Sequence, residues 1–173
     1  MDFVKAREVL EVIQKLDADS KESIINALNI ALHVEEASKG FYEAEVEKTR
    51  GSELCAFFEF LVKEEEMHLE KVLELKREIE ESENESLTKE INFNSTSPPN
   101  IHAIPSGQSE LTAVLYALWR EKKAVEFYEE AAKKTKNGVK KFFGDLAEFE
   151  RGHVKLLEGI IEDTQNTSEL IMG

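Results

Sequence analysis

The sequence predicts an all-α protein: a four-helix bundle built from two repeated helical hairpins, with one long crossover between them and a short helix ahead of them. Three observations carry this prediction. Apolar residues recur at helical spacing in four long stretches, while strand-like alternation is nearly absent. The stretches come in pairs separated by a few residues, and the second pair repeats the first. A chain of 173 residues suits one domain and can bury a real core. With 41% hydrophobic residues it stays outside the disordered class despite a net charge of −14.

Taken in order, Phe3 to Leu16 forms a short amphipathic segment, expected to pack on the outside as an N-terminal helical extension over residues 1–18. The bundle is expected over residues 19–165. Its first helix should run from about Ser20 to Thr49, with Asp19 as N-cap, Glu22 three residues on and Gly51 as the stop. The second starts near Ser52 and continues through LCAFFEFLVKEEEMHLEKVLELKREIEE. Residues 82–108, SENESLTKEINFNSTSPPNIHAIPSGQ, break the pattern with Ser, Asn, Thr and Pro98-Pro99, and read as a crossover linker. The third helix covers about Ser109 to Lys136, with Asn137-Gly138 as the stop. The fourth follows at once to about Asp163, leaving 166–173 as a tail. Each helix should span roughly 40 Å. The short joints make each pair an antiparallel hairpin, and a bundle with one long crossover has the ferritin-like topology. A linker of this length also lets hairpins exchange between chains, so a homodimer, with or without swapping, is an expected assembly.

The repeat has an offset of 85 to 86 residues, the separation of Glu65 from Glu150 and of Glu35 from Glu121. Gly40-Phe41-Tyr42-Glu43 recurs as Glu126-Phe127-Tyr128-Glu129, and Phe57-Phe58 as Phe142-Phe143. Glu65-Glu66-Met67-His68 recurs as Glu150-Arg151-Gly152-His153. The most regular repeated elements are polar, which is odd for a core. Residues i and i+3 share a helix face, so Glu65 points with His68 and Glu150 with His153. Both pairs lie on apolar stripes, with Phe58, Leu61 and Val72 in one helix and Phe143, Leu146 and Leu157 in the other. Glu35 shares its stripe with Leu28 and Tyr42, and Glu121 shares its own with Val114 and Tyr128. Four carboxylates and two imidazoles should therefore converge at mid-bundle.

A buried, unpaired carboxylate costs several kcal/mol, and no Lys or Arg repeats on these stripes. Two divalent cations balance four glutamates, and this donor set suits iron or manganese, with zinc as a substitute. One Glu from each of two helices plus Glu-x-x-His from each of the others is the known arrangement of di-iron carboxylate bundles.

Over roughly residues 22 to 163 the chain resembles the rubrerythrin branch of the ferritin-like superfamily. The resemblance rests on VEEASKGFYE, KEEEMH, REKKAVEFYEE and EFERGH. It implies a bridged centre of two iron ions that reacts with hydrogen peroxide or O₂ in oxidative-stress defence. Glu65 and Glu150 would bridge, Glu35 and Glu121 would be terminal, and His68 and His153 would bind one metal each. Tyr42 and Tyr128 would orient the ligands. Two departures stand out. Rubrerythrins proper carry a rubredoxin domain that holds iron with four cysteines, whereas Cys55 is the single cysteine here, so electrons are expected from an external rubredoxin-like carrier. They also carry an extra carboxylate one turn after the third-helix ligand, where this chain has Ala124. Three functions follow: an oxidoreductase, an iron-binding protein of ferroxidase or sequestration type without peroxidase turnover, and a structural bundle stabilised by metal.

The remaining residues have plainer expected roles. Glu64 aligns with Phe149, Glu66 with Arg151 and Glu36 with Lys122, so all three glutamates should be solvated. His33 should lie on the surface and His102 in the crossover. Gly144, Gly152 and Gly159 should mark close helix approach. The acidic balance argues against nucleic acid and anionic membranes. The longest nearly apolar run, Leu111 to Trp119, is far short of the roughly 20 residues that span a bilayer. MDFVKAREVLEV lacks the apolar stretch of a secretory signal, and the expected compartment is cytoplasmic.

Overall fold

The computed structural model describes residues 11–82 and 104–172. Its helices are α1 (Lys21–Lys48), α2 (Glu53–Glu81), α3 (Gln108–Lys134) and α4 (Asn137–Met172), and no strand occurs among the described residues. Helix α1 packs along α2 and α3 along α4, with α1 also meeting α3. The fold is an all-α ferritin-like bundle. His102, Pro98-Pro99 and most of the crossover lie outside the described residues, as do residues 1–10 of the N-terminal segment.

Local chemistry sets the helix ends, and several differ from the sequence expectation. The N-cap of α1 is Ser20, whose hydroxyl accepts from the Ser23 amide at 3.2 Å. Asp19 instead accepts from Lys136 Nζ at 2.8 Å, tying the start of α1 to the joint between α3 and α4. Gly51, at φ +88°, makes the turn between α1 and α2 in a conformation that side chains disfavour. Helix α3 stops at Lys134 because Thr135 turns extended. Asn137 adopts φ +51° to open α4, so it starts a helix rather than ending one. Helix α4 continues to Met172, past the expected end near Asp163 and through the expected tail.

The interior has an apolar–polar–apolar order along every helix. One apolar cluster takes Leu28 from α1, Leu75 from α2, Phe127 from α3 and Phe143 from α4, and Ile13 and Leu16 of the N-terminal segment join it. The other takes Tyr42, Leu61, Val114 and Leu157 from the same four helices. Each fully buried side chain of this size contributes about 1.5–3 kcal/mol. Between these clusters, all four helices bury acids or imidazoles. The glycines Gly144, Gly152 and Gly159 do not mark close approach: a Cβ at any of them would meet nothing within 4 Å. Their counterparts in α2 are Glu59, Met67 and Glu74, so the fold holds side chains at equivalent positions.

Candidate metal centre

The polar band brings together all six residues singled out by the repeat. Glu35 comes from α1, Glu65 and His68 from α2, Glu121 from α3, and Glu150 and His153 from α4; all are buried. They form two overlapping sets, Glu35–Glu65–His68–Glu150 and Glu65–Glu121–Glu150–His153. Within each set one ligand atom per residue lies within 4.8 Å of the others, and Glu65 and Glu150 belong to both. The i, i+3 spacing places each shared glutamate beside a histidine, and the duplication supplies the matching half.

Both imidazoles turn Nδ1 toward the carboxylates. His68 Nδ1 lies 3.1 Å from Glu150 Oε1 and 3.3 Å from Glu35 Oε2. His153 Nδ1 lies 3.2 Å from Glu150 Oε2 and 3.5 Å from Glu121 Oε2. The two rings are 5.7 Å apart. The tyrosines cross between hairpins: Tyr42 of α1 donates to Glu121 Oε1, and Tyr128 of α3 donates to Glu35 Oε1. Each phenol thus holds one oxygen of a glutamate carried by the opposite hairpin.

Burial and neighbouring charges shift the groups of the band in opposing directions. Burial pushes the Glu65 carboxyl well above its usual range, and the charges of Glu35 and Glu150 add to the effect. Burial raises Glu121 in the same way, with Glu150 next in effect. Burial also acts to raise Glu150, but hydrogen bonding with Glu121 and the charge of His68 outweigh it and hold this carboxyl well below its usual range. Both histidines are drawn down by burial, yet the carboxylates around them win and raise them well above the ordinary imidazole value. Burial and the charge of Glu121 raise the Tyr42 phenol, so it remains a donor.

The residues fit a pair of divalent cations. Neither oxygen of Glu65 accepts a hydrogen bond, although the residue is only 1% exposed. An acceptor left this way in the interior costs about 1–3 kcal/mol or more, which a cation on that oxygen offsets. Among the described residues none of Glu35, Glu65, Glu121 and Glu150 pairs with a lysine or arginine. Carboxylate and imidazole are the ligands that iron and manganese accept.

The outlying expectations divide. Glu66 is solvated, pairing with Lys39 at 2.9 Å, and His33 and Glu36 are exposed. Glu64 contradicts its expectation: it is 2% exposed, with Oε2 3.9 Å from His153 Nε2. The signal for it was present, because its repeat counterpart is the apolar Phe149 and it lies three residues after the buried Leu61. Ala124 is buried, and its repeat counterpart Ser38 accepts from Arg120 Nη2 at 3.0 Å.

Fold and site together define a ferritin-like bundle with a buried carboxylate–imidazole cluster able to hold metal. The family model for rubrerythrin matches residues 26–161, and the chain belongs to that family. No curated protein and no solved structure matches it. Iron is the metal this family typically binds. No helix among the described residues is long and apolar enough to cross a membrane.

Proposed function

We propose that this chain is a di-iron oxidoreductase that reduces hydrogen peroxide or O₂ with electrons from an external, rubredoxin-like carrier. The observation that supports it most is the pair of buried ligand sets sharing Glu65 and Glu150, each with one histidine. In this reading Glu35, Glu65, His68 and Glu150 hold one ion, and Glu65, Glu121, Glu150 and His153 hold the other. Bound there, two ferrous ions supply two electrons and Lewis-acid polarisation of an O–O bond. Hydrogen peroxide with two electrons and two protons gives two waters, and O₂ with two electrons and two protons gives hydrogen peroxide, the carrier restoring two electrons each time. The chain's own part is to hold the geometry. Tyr42 and Tyr128 fix one oxygen of each terminal glutamate, leaving the other for a cation, and the apolar clusters on either side keep bulk water out. A homodimer in the cytoplasm belongs to this proposal.

Stopped-flow mixing of the anaerobic Fe²⁺-loaded protein with peroxide tests it. Oxidation much faster than that of free Fe²⁺ is expected, and oxidation at the free rate would remove the peroxidase reading. The second reading is iron binding or ferroxidase action without peroxidase turnover. Ala124 favours it, since the extra carboxylate of the related peroxidases has no counterpart there. Storage needs a hollow shell, so sizing the native particle separates the two: a dimer speaks against a cage.

A further inference from the structure

We propose that Glu64 is a positioning residue for His153: its carboxylate takes the Nε2 side of the imidazole and so presents a proton-free Nδ1 to the cation held with Glu121. The inference rests on the metal-binding reading above and deepens it. An imidazole binding a cation through Nδ1 carries its proton on Nε2, and in an interior that N–H needs an acceptor. His153 turns Nδ1 to Glu150 and Glu121, and Glu64 Oε2 stands 3.9 Å from Nε2. That separation is an ion-pair distance, longer than a hydrogen bond, so the proposed contact requires a side-chain shift or a bridging water. Burying this carboxylate to 2% exposure is costly, and His153 is one partner that offsets the cost.

The duplication supplies an internal control. Glu64 and Phe149 occupy equivalent positions, and each faces the histidine of the other hairpin. The Phe149 ring stands 5.6 Å from the His68 ring, edge to face, and cannot take the proton that a carboxylate takes. A carboxylate behind a ligand imidazole fixes its tautomer and raises its basicity, an effect worth roughly 10–100-fold in metal affinity.

Anaerobic titration with Co²⁺, followed by visible absorption, tests the proposal on the wild type, Glu64→Gln and Glu64→Leu. The wild type is expected to take up two ions. In Glu64→Leu one binding step weakens by roughly 10–100-fold while the other holds, and Glu64→Gln recovers most of the loss because its amide oxygen also accepts from Nε2–H. In the Zn²⁺-loaded wild type, histidine-nitrogen NMR should show His153 protonated at Nε2, a readout that needs no variant to fold. Unchanged Co²⁺ affinity in Glu64→Leu, equal weakening of both steps, or His153 protonated at Nδ1 would each overturn the positioning role while leaving the centre in place. No Co²⁺ uptake by the wild type would instead bring down the metal reading itself, and this inference with it.

Discussion

Around His68 stand Glu35, the Tyr128 that holds Glu35, and the ring of Phe149; around His153 stand Glu121, the Tyr42 that holds Glu121, and the carboxylate of Glu64. The candidate ligand set is the same in both halves: one further glutamate, one imidazole and the shared pair Glu65 and Glu150. What stands behind the imidazole differs. One position holds a half-buried aromatic ring and the other a buried carboxylate, and only the carboxylate can accept a proton from an imidazole. The duplicated hairpin therefore repeats the candidate ligands in both halves, while the residues behind the two imidazoles differ.

Three measurements break or sharpen this comparison. The largest effect is expected from the shared glutamates. Glu65→Ala should abolish uptake of both ions, whereas Glu35→Ala should abolish one and leave the His153 half. Metal analysis after anaerobic loading and gel filtration reads the stoichiometry directly. One full-strength site surviving in Glu65→Ala would show that the halves share less than the geometry implies.

The second concerns the two glutamates shared by both sets, which are driven in opposite directions: Glu65 up and Glu150 down. A group raised on folding lends stability below its unfolded pKa and loses it as pH rises through the folded value; a lowered carboxyl does the reverse. Glu65, Glu121, His68 and His153 are raised; Glu150 is lowered and acts only below the ordinary carboxyl value, so above that value the raised groups set the trend. The metal-free protein should lose stability as pH climbs above 4.5, the ordinary carboxyl value, and should melt lower at about pH 8 than at about pH 6. Metal loading should reverse that order, because ligands bind cations in their deprotonated forms. Calorimetric melts with and without chelator check it. A metal-free melting point that rises over this range would mean that the raised groups do not gain protons on folding, because Glu150 titrates below it.

The smallest effect is expected at the phenols. Tyr42→Phe and Tyr128→Phe each remove one hydrogen bond to a terminal glutamate, worth about 1.5–3 kcal/mol as a bond to a charged group. Each should weaken one ion only, and the two should weaken by similar amounts, because this part of the two halves matches. Co²⁺ titration of the pair decides it. Unequal losses would extend the asymmetry from Glu64 and Phe149 to the tyrosines.

Much of this was legible along the chain. Periodicity marked the four helices, and the repeat separated Glu35 and Glu65 from the neighbouring acids Glu36 and Glu66, which are solvated. Glu64 was misjudged for a physical reason. Without an acidic counterpart it looks like part of a charge run, yet helix α2 buries it beside Glu65 because the interior face is wider than a single i, i+3 line. Helix ends were off by local chemistry: the Ser20 hydroxyl outcompetes Asp19 for the cap, and Asn137 accepts a left-handed backbone to open α4.

By itself the sequence determined that four apolar stripes, each interrupted by acids or imidazole at one level, must fold around a polar band, because helical spacing alone puts those residues on the buried face. Only the tertiary structure decided which hairpin serves which. Tyr42 reaches Glu121 and Tyr128 reaches Glu35 across the bundle, and Glu64 meets His153 while Phe149 meets His68. Such pairings depend on how two hairpins are set against each other, and the spacing of residues within one helix carries no information about that.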